Sequence, residues 1–507
     1  MNRKKKLEKQ RLMDEKLAEK IKSGRVIRIS YEERKKKKAQ PNRKSQFSTE
    51  EAELANRQET VENATRVYKQ ILPILLKRLE KIKDPRQPLK IKHKITVLMI
   101  YGILMFVYQI GSRRNANKNM TTPIFLENIK AVFPEFETIP HSDTLARMLE
   151  SIDVEEIQSS MVELLKTLIK NKKFKNLLTN KKYLIAVDGS QKFFRNYQWQ
   201  EEALKRTVGG DSKIPQYYVY TLDAVLVLDN GMVLPVLTEI LGNNDWIEGE
   251  TKQDCERKAF ERLAPKIKKI FGKGKVILLG DGLYACGPVI KICKNYNWDF
   301  MLVLKEDALK DLWKEANGLM KLEPTNSLAT NWGERIQIYQ WANEIEYEFG
   351  TKKREIVEVH VVICNESWKE NHTRSNGKIE EFHTRYAWIS SKKLTSKNVF
   401  RRCTKIGRYR WKIENNFLIE KHEGYNFEHC YSYNWQAMKG FHYLMKIGHF
   451  VNALLIHSEI ISDYVDERGI QGFIKKLFEA LTGAVLDTSK ISCVRKAKHL
   501  WRIKKAA

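Results

Sequence analysis

Apolar residues recur every three or four positions from about residue 51 to residue 180. Val61, Ala64, Tyr68, Ile71 and Leu75 set the rhythm, which predicts amphipathic helices. His141-Ser-Asp-Thr-Leu reads as a helix start, with Ser142 or Asp143 as cap and Leu145, Met148 and Leu149 as the inner face. Val154 to Ile169 predicts another such helix. Ile95 to Ile110 is apolar on every side. It is interrupted by Thr96 and Gln109 and is shorter than the ~20 residues a bilayer requires, so a buried helix is expected and a membrane protein is not.

At Tyr183 the period changes. Tyr183 to Val187 predicts a buried strand ending at Asp188-Gly189, and Val276 to Leu279 a second one ending at Gly280-Asp281-Gly282. Tyr217 to Leu228 and Met232 to Leu241 flank Asp229-Asn230-Gly231, a hairpin turn. Lys252 to Ile270 and Val289 to Asn295 predict helices, and Phe300 to Leu304 a strand. Strands alternating with helices imply a mixed sheet with crossovers. Ile336 to Trp341, Ile345 to Phe349, Ile356 to Cys364 and Arg385 to Ser390 predict antiparallel strands, and Leu394 onward returns to helix. The expected organisation is a flexible basic arm (1–50), a helical domain able to read DNA ends (51–180), an α/β core in two parts (181–305 and 392–450) split by a β-rich insertion (306–391), and a helical basic tail (451–507).

Charge narrows the partner. The chain has 507 residues with 91 Lys and Arg against 62 Asp and Glu, a net +29, which calls for a polyanion and first of all nucleic acid. Residues 1–44 hold 18 basic and 6 acidic residues, hence +12 of that charge, and suit an arm that neutralises phosphates. The 7 cysteines include no C-x-x-C pair and no zinc spacing, which excludes a disulfide scaffold and fits a reducing compartment. The first twenty residues lack the apolar stretch of a secretory signal.

Candidate chemistry lies where the buried strands end. Open α/β sheets place active sites beyond the carboxyl ends of their strands, where Asp188 and Asp281 fall. Glycines 189, 280 and 282 are expected to let the backbone turn there. A third acid follows in Arg408-Tyr-Arg-Trp-Lys-Ile-Glu-Asn-Asn-Phe-Leu-Ile-Glu-Lys421. Read as a helix at about 100° per residue, it puts Arg410, Glu414 and Lys421 on one face and Trp411, Phe417 and Leu418 on an apolar side. An ordinary solvated salt bridge would give the same spacing.

This set resembles the DDE transposases of bacterial insertion sequences, the cut-and-paste group with a β insertion in an RNase H-like core. Asp188 in AVDGS and Asp281 in LLGDGLYA match the first two acids, and Arg410-x3-Glu414-x6-Lys421 matches the R-x3-E-x6-K signature. The signature tyrosine three residues before the arginine falls on Gly407, with Tyr409 nearest. The resemblance spans about residues 183–450. It implies that Asp188, Asp281 and Glu414 hold two Mg²⁺ or Mn²⁺ ions, that Arg410 and Lys421 grip DNA, and that the protein cuts element ends and joins their 3′-OH to target DNA. It further implies a dimer on DNA, a cytoplasmic, nucleoid-associated setting, and no small-molecule substrate. A metal nuclease of the same fold without strand transfer, and an inactive DNA-binding protein, are the alternatives.

Other residues compete. Asp223 and Glu239 lie in the hairpin strands, and Glu250, Asp254 and Glu256 open a helix; Asp223 is the foremost substitute for Asp188. His360 is expected in the core, and His422 beside Lys421. Trp332, Trp341, Trp368 and Trp388 suit core packing better than stacking on a flipped base.

Overall fold

A computed structural model describes residues 3–23, 27–30, 44–45, 47–210, 213–243, 254–350, 354–371, 379–483, 485–499 and 501–505. The first half runs α1 (Arg3–Lys22), β1 (Ile27–Ser30), α2 (Glu50–Leu79), α3 (Ile95–Val107), α4 (Arg113–Asn119), α5 (Pro123–Val132), α6 (Ser142–Ser151), α7 (Glu155–Lys170), β2 (Tyr183–Arg195), β3 (Leu204–Val208), β4 (Ile214–Val227), β5 (Val233–Leu241) and α8 (Glu256–Phe271). Next come β6 (Val276–Gly280), α9 (Gly287–Asn295), β7 (Asp299–Val303), α10 (Lys310–Leu322), β8 (Ser327–Trp332), β9 (Arg335–Phe349), β10 (Glu355–Asn371) and β11 (Ile379–Ser390). The chain closes with α11 (Val399–Thr404), a 3₁₀ turn (Gly407–Arg410), α12 (Trp411–His422), α13 (Trp435–Ile456), α14 (Ser462–Arg468), α15 (Ile470–Gly483) and α16 (Thr488–Lys496). The fold is mixed α/β with a mostly helical N-terminal region.

The chain forms two compact units. One comprises residues 1–38, 179–188 and 271–412, the other residues 39–178, 189–270 and 413–507. In the first unit the strand order is β1-β8-β9-β10-β11-β7-β6-β2. β2, β6 and β7 are parallel, with α9 crossing over between β6 and β7. β8 to β11 are antiparallel, β9 to β11 are long, and β11 joins them to β7 through Trp388↔Val303. VILLG of β6 is buried throughout, the continuous apolar run a doubly covered parallel strand needs. Two expectations change here. The basic N-terminal segment contains α1, tied to β11 by Asp14–His383 at 3.3 Å and Arg11–Glu381 at 3.6 Å, and β1, which pairs with β8 from Ile27↔Leu328 to Ser30↔Asn331. The region expected to be β-rich also contains α10, whose Leu312, Trp313, Ala316 and Met320 form a buried helical stripe.

In the second unit, β4 pairs antiparallel with β3 and with β5. The β4–β5 turn falls on Asp229-Asn230-Gly231 as expected, with Gly231 at φ +88°, a conformation glycine alone adopts cheaply. The helices pack around α3 and α13, which are buried on almost every side. Glycines let these two approach: a Cβ on Gly102 would lie 2.7 Å from Leu444, and one on Gly448 2.6 Å from Phe106. α6 is capped by His141, whose Nδ1 accepts from the Asp143 N–H, and not by Ser142 or Asp143. Among the described residues, no helix is long and apolar enough to cross a membrane.

Candidate active site

β2 and β6 lie side by side in parallel register from Tyr183↔Val276 to Ala186↔Leu279. Asp188 and Asp281 each follow two residues after the last registered pair, so the register brings them to neighbouring positions at the carboxyl side of the sheet. The Asp188 carboxylate meets Arg410 Nη1 at 3.5 Å. The Asp281 carboxylate meets Lys305 Nζ at 3.2 Å and accepts the Leu283 N–H at 2.9 Å, which fixes the turn after β6. Each acid is half-buried and each faces a cation.

The local backbone differs from the expected turns. β2 does not end at Asp188; it continues to Arg195, and what ends is its pairing with β6. Glycines 189, 280 and 282 all lie outside the left-handed region, and their role is space. A Cβ on Gly189 would lie 2.5 Å from the Tyr220 ring, one on Gly280 2.9 Å from Tyr284 Cβ, and one on Gly282 2.6 Å from the Lys305 side chain. Gly282 thus lets Lys305 lie across the Asp281 turn.

Arg410 belongs to the 3₁₀ turn before α12, not to the helix, and it is buried. The turn is held from two residues back. The Arg408 guanidinium pairs with the fully buried Glu366 carboxylate, which Arg335 and Gln337 also reach. Arg408 lies 4.3 Å from the Tyr386 ring centroid and 5.0 Å from that of Trp332, while Arg335 covers Trp368 at 4.0 Å. A sealed carboxylate with three donors anchors the segment that aims Arg410 at Asp188.

Glu414 and Lys421 stand on α12, which belongs to the second unit from Ile413 on. Glu414 is exposed in the first turn, and Lys421 in the last turn pairs with Glu428 at 3.0 Å. The expected apolar side is corrected: Trp411 and Leu418 are exposed, and α12 buries Ile413, Asn416, Phe417 and Glu420. Asp188, Asp281 and Arg410 therefore stand together in the first unit, with Glu414 and Lys421 together on one helix of the second. Among the described residues, no group of three or more His, Cys, Asp and Glu is arranged to hold a metal ion.

The competing acids are engaged elsewhere. Asp223 is sealed, pairs with Lys446 at 2.8 Å and accepts from Thr238. Lys446 also meets Glu420 at 2.7 Å, and His449 completes the cluster on Glu420 at 2.8 Å. This cluster was not anticipated. Its signal was His442, Lys446 and His449 at one-turn spacing in the otherwise apolar α13. Glu239 pairs with Lys266 and Arg262, Asp254 with Arg262, and Glu256 accepts from Tyr220. Glu250 lies outside the described residues. His360 is buried as expected, its Nδ1 accepting the Glu344 N–H, and His422 is exposed. Trp341 and Trp388 are core residues, and Trp368 stacks on Phe382 at 5.4 Å.

Residues 76–165, from the end of α2 into α7, match the protein family described as DDE_Tnp_1-associated. That match covers less than a fifth of the chain and points toward the DDE-family transposases. No curated protein matches the chain.

Proposed function

We propose that this protein is an insertion-sequence transposase of the DDE type, built on an RNase H-like core. In this reading it binds element ends as a dimer, cuts phosphodiester bonds and joins the 3′-OH ends to target DNA. The observation that carries it is the Asp188–Asp281 pair on neighbouring parallel strands, with the buried Arg410 on Asp188. The DDE_Tnp_1-associated match, which covers a different stretch of chain, supports it independently.

Paired carboxylates with oxygen donors only suit a hard divalent cation. Asp188 and Asp281 would hold it; Glu414 is the third carboxylate that the resemblance implies. Bound there, Mg²⁺ or Mn²⁺ supplies charge neutralisation at phosphate oxygens and activation of water or a DNA 3′-OH. The chain's own cations do the rest. Lys305 and Arg410 offset the mutual repulsion of the two acids. Arg410 presents a fork suited to a phosphate, and Lys421 a point charge one helix away in sequence.

The test is strand nicking of element-end DNA in Mg²⁺, read beside a gel shift. Asp188→Ala, Asp281→Ala and Glu414→Ala are each expected to abolish nicking while leaving the gel shift intact. Arg410→Ala and Lys421→Ala are expected to slow single-turnover cleavage by roughly 10²-fold with every end bound. Wild-type nicking by any of the three carboxylate variants would remove that residue from the site.

A further inference from the structure

The two acids of the candidate site hold their cations differently. The Arg410 side chain, which meets Asp188, is 9 % exposed, and its turn is anchored through Arg408 and Glu366. The Lys305 side chain, which meets Asp281, is 54 % exposed and reaches the acid on a flexible stem. An exposed ion pair by itself contributes little. Two features of the first unit set this one apart.

One is the root of the side chain. Lys305 follows β7 by two residues, and its backbone is pinned. Its carbonyl accepts the Trp313 indole N–H at 2.8 Å and the Ala308 N–H at 3.2 Å. The N–H of the preceding Leu304 donates to the Ala387 carbonyl at 2.9 Å. Trp313 belongs to the buried stripe of α10, so the root is fixed while the ammonium stays in water.

The other is the path of the stem. A Cβ on Gly282 would lie 2.6 Å from Lys305 Cγ, 2.7 Å from Cδ and 2.9 Å from Cε. The methylenes thus run across the backbone of the residue after Asp281, where a side chain is missing. Gly282 lies outside the left-handed region, so the turn does not require glycine for its backbone conformation. The lysine stem requires it for space.

The Asp281 carboxylate is shared between two partners. Its Oδ1 accepts the Leu283 N–H and holds the turn, and its Oδ2 meets Lys305 Nζ at 3.2 Å. A cation arriving at Asp281 therefore competes with the ammonium for Oδ2. A divalent ion there sets two positive charges against one at close range, and the lysine is the partner able to swing away.

We propose that Lys305 is a displaceable counter-ion: it occupies Oδ2 of Asp281, gives way when a divalent cation binds there, and so sets the metal affinity of the site. The proposal rests on the metal-site reading above. With no metal bound, Lys305 offsets the charge of Asp281. Once displaced, it remains as a positive charge tethered beside the site.

The experiment is Mn²⁺ titration of the full-length protein without DNA, read from the paramagnetic resonance of the free ion. Lys305→Ala is expected to tighten Mn²⁺ binding roughly three- to tenfold, because an exposed competitor and a repelling charge are both removed. Loss of a merely structural residue would weaken binding or leave it unchanged, so the direction is diagnostic. Gly282→Ala, whose methyl pushes the stem aside, is expected to tighten binding too. The Gly282→Ala, Lys305→Ala double variant is expected to gain no more than Lys305→Ala alone. Lys305→Arg keeps the charge and is expected not to tighten binding. Unchanged or weaker binding in Lys305→Ala, with Asp281→Asn abolishing it, would overturn the counter-ion and leave the metal site standing. Mn²⁺ binding indifferent to Asp281→Asn would overturn the metal site and the counter-ion with it.

Discussion

Each compact unit carries a pair of carboxylates with cations, and the two clusters differ in access to water. The Asp188 and Asp281 side chains are 21 % and 27 % exposed, and their partners Arg410 and Lys305 come from separate segments. Asp223 and Glu420 are sealed with Lys446 and His449. In the sealed cluster, burial pushes the carboxyl of Asp223 up. Burial acts the same way on Glu420, but Lys446 and His449 outweigh it and hold Glu420 at about 2. Lys446 loses to burial and gains more from the two acids, so its pKa rises. Those charges are fixed to one another. The half-buried pair faces Arg410 and Lys305 with part of each carboxylate open to solvent. The same residue types thus make a sealed cluster in one unit and a solvent-accessible pair in the other.

That contrast can be broken or sharpened by measuring stability. The largest effect is expected for Lys446→Met, which leaves two buried carboxylates without their lysine. Loss of one partner of a buried ion pair costs about 3–5 kcal/mol. Urea unfolding should show it, and a loss below about 1 kcal/mol would mean that this cluster does not brace the fold.

Lys192 ranks second. It is buried beside the cluster and donates to the Phe427 carbonyl at 2.6 Å. Burial, then the charge of Lys446, pulls its pKa down to about 7. The unfolded lysine keeps its proton to about pH 10.4, so between those values the unfolded chain binds more protons and stability rises with pH. The expected gain from pH 6 to pH 9 is about 2–3 kcal/mol, at ~1.4 kcal/mol per unit above pH 7. Lys192→Met should flatten this rise in urea unfolding at the two pH values. A rise of wild-type size in the variant would assign it to another group.

The smallest effect is expected at the half-buried pair, Asp188 and Asp281. Asp188→Asn and Asp281→Asn remove one of two neighbouring like charges, so thermal melts should move by no more than surface substitutions do, about 0.5 kcal/mol. A loss of several kcal/mol would make this pair a strut as well.

Much of this was legible in local pattern. Two short apolar runs, each followed by Asp, marked β2 and β6, and the switch from helical to strand period marked where the sheet begins. The parallel register that makes the two aspartates neighbours leaves no local trace. The polar stretch Asp188-Gly-Ser-Gln191 hid the continuation of β2, because its pairing with β6 has ended there and alternation no longer reports one buried face. Pairing of β1 with β8 joins segments some three hundred residues apart and has no signal at either end. The stripe of α10 was present in the sequence and was masked by the strand-rich residues after it. Arg410 fell outside the helix because its segment is pulled toward Glu366 through Arg408, an attachment spacing alone does not encode.

The same segment shows why position 407 is a glycine. A Cβ at Gly407 would lie 2.9 Å from Trp388 Nε1 and 3.0 Å from Cε2, because the indole reaching over from β11 already occupies that volume. The turn keeps an aromatic neighbour, but one supplied nineteen residues upstream. Positions 388 and 407 are therefore sterically coupled. A ring placed at 407 collides unless 388 shrinks with it, and a smaller residue at 388 alone leaves a void beneath the turn that carries Arg410. Drift at either position is constrained by the other, and the pair should covary as a bulky–small exchange.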